Sequence, residues 1–241
     1  MPTQSSLLRE IRAAFTQEPR INKNQAAIAL TCRNGTLMVT GEVETIAAKK
    51  LALAHARTVF GIYNTIDHLQ VTPATPSGDG AIRDALCRYL LREPALLDLD
   101  IGVHSKGRHT MLRQTFSELP GRIVVEVTNG TIMLTGEVTS LSHKRLCGVF
   151  AWWTPGCCNV INLLDIAPLE YDNDDEVADA LGLVFEIDPL IHSEQLRISV
   201  RDSVVTLLGL LGSHEERRMA ESDAWYIYGV TDVINHIAVR H

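Results

Sequence analysis

A chain of 241 residues, 46% hydrophobic and 21% charged, has the composition of an ordinary globular protein and the length of one large domain or two to three small ones. Its net charge of −7 argues against generic nucleic-acid binding, and no apolar run reaches the roughly 18 residues of a membrane-spanning helix. Met1 to Glu10 has no basic stretch followed by an apolar one, and five cysteines is an odd count, so the expectation is a cytoplasmic chain with reduced, mostly buried thiols.

The first helical stretch runs from Leu7 to Glu18 and stops at Pro19, because proline disfavours helix in the residue before it. Ile28, Leu30 and Cys32 then alternate with polar residues, the period of a half-buried strand. Asn34-Gly35 supplies a two-residue hairpin turn, and the returning strand carries Leu37 and Val39 on the same face. Ala52, Ala56 and Val59 mark one face of a second helix, Gly61 ends it, and a last strand closes on Leu69 and Val71. A Pro/Gly/Ser linker, Thr72 to Gly78, follows.

The same order then recurs. Ile82 to Glu93 stops at Pro94; Ile123, Val125 and Val127 lead into Asn129-Gly130; Ile132 and Leu134 return; Cys147, Ala151 and Thr154 lie on a helix face ended by Gly156. After an acidic linker, Pro168 to Asp175, the order appears again. Val177 to Asp188 stops at Pro189, Leu196, Ile198 and Val200 lead into Asp202-Ser203, and Ala220, Ala224 and Ile227 precede Gly229. In each copy a glycine stands six residues after the turn (Gly41, Gly136, Gly209) and another 20 residues further on (Gly61, Gly156, Gly229). The chain is therefore an internal repeat. The fold class is α+β: three tandem αββαβ units, each a three-stranded sheet covered on one face by two helices. The units span 1–72, 79–168 and 173–241. The middle one carries about twenty extra residues near 104–122, between its first helix and its hairpin.

The segments Asn34 to Val43, Asn129 to Val138 and Gly229-Val230-Thr231-Asp232-Val233-Ile234-Asn235 resemble the BON domain, a bacterial module named for osmotic-stress and nodulation proteins. The third copy departs from its hairpin signature at Asp202-Ser203 and Leu210. The resemblance covers about 200 of the 241 residues. It implies a binding module without catalysis, associated with stress response and in several members with lipid binding. Family members are often periplasmic, and one cytoplasmic relative senses potassium. No ligand-binding residue is encoded in the motif.

Aromatic residues cluster late in the second helices. Trp152 and Trp225 share one repeat position, off the core stripe, where the first unit has Arg57; Trp153, Tyr226 and Tyr228 adjoin them. Packing between repeats or chains explains such residues, as does a membrane-interface or ligand contact. The insertion carries Lys106, Arg108 and Arg113 among Met111, Leu112, Phe116 and Leu119. It reads as a mobile or capping loop, or as a contact for an anionic ligand or lipid headgroup. Net charge runs from +3 over residues 1–73, through 0 over 74–169, to −10 over 170–241. That reads as a solvated acidic surface, or as head-to-tail complementarity within or between chains.

His143 and Cys147, four apart on a helix, and Cys157-Cys158 make a poor metal set, since Cys147 lies on the core stripe. The run Asp172 to Glu176 reads as helix N-capping rather than a calcium loop. No catalytic motif is present. The expectation is a non-enzymatic binding or scaffold protein, without cofactor, metal or nucleic acid. It contacts a phospholipid surface, another ligand, a second copy or a protein partner. The alternative is a cytoplasmic small-ligand or cation sensor. A cleft holding strongly shifted titratable groups would point to an enzyme instead.

Overall fold

The computed structural model describes residues 4–22, 27–59, 62–115 and 121–240. Gly61, and Phe116 and Leu119 of the insertion, lie outside the described residues. The chain divides into two compact units, Met1–Pro73 and Ala74–His241. The second contains both the middle and the last repeat.

Unit 1 is one αββαβ repeat with a short extra turn: α1 (Gln4–Gln17), α2 (Pro19–Asn22), β1 (Ile28–Arg33), β2 (Thr36–Val43), α3 (Ile46–Thr58) and β3 (Asn64–Val71). Strand β2 is central, antiparallel to β1 and parallel to β3. Ile11 and Phe15 of α1, Leu37 and Val39 of β2, and Ala52 and Ala56 of α3 are all buried. The alternating and helical periods thus converge on one core between the sheet and the helix pair.

Unit 2 begins with α4 (Asp79–Arg92), β4 (Asp100–Ser105), β5 (Arg108–Arg113), β6 (Arg122–Thr128), β7 (Thr131–Val138), α5 (Leu141–Trp153) and β8 (Asn159–Ile166). It continues with α6 (Asp174–Ile187), β9 (Leu196–Arg201), β10 (Val204–Leu211), α7 (His214–Tyr226) and β11 (Asp232–Val239). The last repeat has the expected three-stranded sheet, order β11-β10-β9, whereas the middle repeat has five strands, order β5-β4-β6-β7-β8. Its insertion is a hairpin rather than a loop, and it starts at Asp100, before residue 104. Strand β4 pairs parallel to β6, burying Ile101 and Val103, and turns at Lys106 (φ 51°) and Gly107 (φ 73°). Two successive positive φ values make the hairpin turn whose twist suits the flanking strands.

The three repeat hairpins turn where the sequence places them. Asn34-Gly35, Asn129-Gly130 and Asp202-Ser203 all have positive φ. The last pair lacks glycine, and a carboxylate holds it. Asp174, the first residue of α6, accepts from Asp202 N at 2.8 Å and Ser203 N at 2.9 Å. Asp79 of α4 does the same for Asn129 N and Gly130 N, at 3.0 and 2.9 Å. The acidic run before α6 also behaves as a cap, Asn173 accepting from Glu176 N at 3.1 Å.

The mid-strand glycine is demanded by space. A Cβ on Gly41, Gly136 or Gly209 would stand 2.0, 2.1 or 2.2 Å from the carbonyl oxygen of Ala27, Arg122 or Gln195. All three also have φ above +120°. A third shared feature ties the last strand to the second helix. Asn162 accepts from Leu164 N and donates to Lys144 O; Asn235 accepts from Ile237 N and donates to Arg217 O. Unit 1 has Asp67 here, which accepts from Leu69 N but cannot donate. Lys49 compensates, its ammonium 2.9 Å from Asp67 and bonded to Leu69 O.

Candidate functional site

Within unit 2 the helices of the two repeats face each other, α5 packing on both α6 and α7. Three groups fasten this contact. Arg145, fully buried, donates Nε to Tyr228 O at 3.1 Å and Nη2 to Asp172 Oδ1 at 2.5 Å. Lys144 places its ammonium over the Tyr228 ring, 5.3 Å from the centroid. Trp152 stacks on Tyr226, with centroids 5.9 Å apart and planes within 10°.

Beside this contact lies a cleft of about 830 Å³, lined by residues of both repeats. Tyr89 of α4 stacks on Phe150 of α5 at 5.6 Å, and Trp153 meets Phe150 at 5.6 Å and Tyr89 edge-on at 6.4 Å. These rings form one wall, with Tyr226, Met219, Ile187 and Leu190 contributed by the last repeat. The polar lining is unevenly placed. Arg88 and Arg92 of α4 are exposed, whereas Asp188 and Asp223 are buried, Asp223 at 3% exposure.

Asp223 Oδ1 accepts from Trp153 Nε1 at 2.7 Å, and Oδ2 meets no donor among the described residues. Burial pushes its carboxyl up to about 8; the Trp153 bond pulls the other way and the neighbouring Asp188 adds to the rise. Asp188 spends one oxygen on Leu190 N, at 2.9 Å. Tyr226 is likewise pushed up to about 12, chiefly by burial. The cleft therefore holds a largely neutral acid beside a second carboxyl, under an aromatic wall.

The sequence-selected residues fall in different places. Trp153 and Tyr226 line the cleft. Trp152 lies behind it in the repeat contact, and Tyr228 sits at the edge of that contact with 54% exposure. Trp225, at the repeat position of Trp152 on α7, is 1% exposed. Lys106 and Arg108 are exposed at the β4–β5 tip, away from these aromatics in the sequence and absent from the cleft lining. Arg113 turns inward instead, donating to Leu99 O at 3.0 Å, Leu91 O at 3.3 Å and Leu96 O. It clamps the end of α4 and is not presented to an anion.

Asp188, Asp223, Tyr89 and Phe150 were not singled out from sequence. Asp188 precedes Pro189 and reads there only as a helix stop. Cys147 is fully buried and its thiol is pushed up to about 12, which disfavours the thiolate a metal requires.

The family model for the BON domain matches this chain over residues 3–73, 110–168 and 173–241, which is 199 of its 241 residues. No curated protein matches its sequence. Among solved structures it is similar to two of CdsD, a structural protein of the type III secretion system of Chlamydia trachomatis. One, of the C-terminal domain, is 15% identical over 100% of both chains with a TM-score of 0.25. The other is 14% identical over 97% of this chain and 92% of that one, with a TM-score of 0.24.

Proposed function

This chain belongs to the BON domain family, in three tandem copies, and from that premise we propose a non-enzymatic binding protein whose last two repeats hold a small amphipathic ligand between them. The observation that carries the reading is the cleft itself. Its volume of about 830 Å³ is in the range of small-molecule sites, and an apolar aromatic wall with a few convergent polar groups is their usual lining. Neither repeat makes this site alone, since Tyr89, Phe150 and Trp153 come from one and Asp188, Asp223 and Tyr226 from the other.

A shifted carboxyl in a cleft is also what an enzyme's general acid needs. Two facts favour binding. One oxygen of each carboxyl already holds the fold, through Trp153 and through Leu190 N. Among the described residues lining the cleft there is no histidine, cysteine or lysine to serve as base or activated nucleophile. Native mass spectrometry of the purified protein tests the reading. A bound small molecule that is lost in Trp153→Leu supports it, and the same molecule retained in that variant places the ligand elsewhere.

One observation favours a second, additional contact. The β4–β5 tip presents exposed Lys106 and Arg108 with half-exposed Leu112 behind them, a composition suited to an anionic phospholipid surface. Flotation with phosphatidylglycerol vesicles that is abolished by Lys106→Glu/Arg108→Glu supports it; flotation unchanged in the double variant removes it.

A further inference from the structure

We infer that the ligand held between the last two repeats is an organic ammonium ion with an apolar body, its charge seated between Asp188 and Asp223 and its body against Tyr89, Phe150 and Trp153. The inference rests on the cleft being a ligand site and adds the chemical class.

Both ends of the cleft are specified. At its buried end stand two carboxyls from different elements, Asp188 just after α6 and Asp223 on α7. Each has one oxygen committed to an N–H donor, and Asp223 Oδ2 has no such donor although the residue is 3% exposed; the Asp223 carboxyl instead bonds the Asp188 side chain. Once Asp223 ionises, that oxygen is a buried acceptor without a donor, and two carboxylates side by side oppose each other's ionisation. A single ligand group relieves both costs: a cation with several N–H donors. A neutral hydroxyl supplies one donor and no charge, and an anion worsens both terms.

The adjoining rings suit the rest of such a ligand. The faces of Tyr89, Phe150 and Trp153 attract an alkylammonium and bury its apolar part. Trp153 joins the two ends, donating Nε1 to Asp223 while its ring packs on Phe150. The other charged groups on the lining are Arg88, Arg92 and Glu93, carried by or just after α4. The two arginines are exposed and so screened by water. Asp188 and Asp223 lie in low dielectric, where charge pairing is strongest. A bare metal ion is less well matched, because the aromatic wall offers it no oxygen donors.

Binding is consequently linked to protons. With its carboxyl pushed up to about 8 by burial, Asp223 keeps its proton at neutral pH, and an incoming ammonium displaces it. Affinity for an amine rises as pH passes through that value, until the amine itself deprotonates.

The test uses the full-length protein and three probes of one shape: phenethylamine, phenethyl alcohol and phenylacetate. Titrations at pH 8.5 are followed by calorimetry and tryptophan fluorescence. The expected result is at least about tenfold tighter binding of the amine, with proton release at pH 7 that fades by pH 9. Asp223→Asn keeps an acceptor for Trp153 and should retain the alcohol's affinity while losing the amine's advantage. Equal affinity for amine and alcohol, or preference for phenylacetate, overturns the ammonium inference and leaves the cleft a ligand site. Silence from all three probes overturns the cleft as a small-ligand site as well.

Discussion

Helices α3 and α5 occupy the same place in their repeats, yet they carry different duties. In unit 1 the lysine at the fourth helical position, Lys49, is buried and pairs with Asp67 of its own sheet. Its counterpart Lys144 is released from that task because Asn162 donates to the helix directly, and its ammonium reaches Tyr228 of the next repeat. Late in the helix, Arg57 of unit 1 is exposed where Trp152 stacks on Tyr226. The residues common to both helices build the αββαβ fold; the residues that differ build the contact between repeats and the cleft beside it. Site and scaffold are thereby separable in one chain, which a single-copy protein does not allow.

The sharpest way to break this comparison is at the tryptophan position. Trp225→Ala empties a fully buried aromatic site and should cost unit 2 about 3–5 kcal/mol. Arg57→Ala, at the same position of unit 1, should change stability by less than about 0.5 kcal/mol. Urea denaturation of the two variants, followed by circular dichroism, measures both, and similar losses would show that the position serves the fold itself.

A pH series sharpens it next. Asp223 stands at about 8 in the folded protein against a usual carboxyl value of 3.8. Between those values the folded state keeps a proton that the unfolded state has lost, so this group's contribution to stability falls as pH rises through that window. It is constant below and above. Asp223→Asn should therefore be more stable than the parent at pH 8, by on the order of a few kcal/mol, and equal to it below pH 4. Thermal melting across pH 4 to 9 gives the difference directly; a constant offset contradicts the assignment. The smallest effect belongs to the lysines. Lys49→Met leaves the partly exposed Asp67 without its cation and should cost unit 1 about 1–2 kcal/mol, rescued by adding Asp67→Asn. Lys144→Met should cost unit 2 less than about 1 kcal/mol, as equilibrium unfolding will show.

The fold was legible because its determinants are local. Turn residues with positive φ, strand alternation and the glycine beneath Arg122 O all act within one repeat and recur in the others. The β4–β5 hairpin was missed because Lys106-Gly107 is a weaker turn signal than Asn-Gly. The aromatic cluster was visible as residues off the core stripe, which locates an interface without saying what it encloses. Asp188 and Asp223 lie 35 positions apart and meet only when α6 and α7 are assembled, and Tyr89 and Phe150 reach them only when the two repeats dock. No periodicity within a repeat carries that information.

The claim on which the account turns is that the last two repeats form one body, with the cleft as part of its structure. Hydrogen exchange in Leu134→Ala tests it, because Leu134 is a fully buried core residue of the middle repeat alone and its truncation costs about 2–5 kcal/mol. If the two repeats are one body, amides of α6 and α7 lose protection together with those of β6 and β7, by the same free energy. Amides of α6 and α7 that keep their parental protection would make the repeats independent and contradict the account.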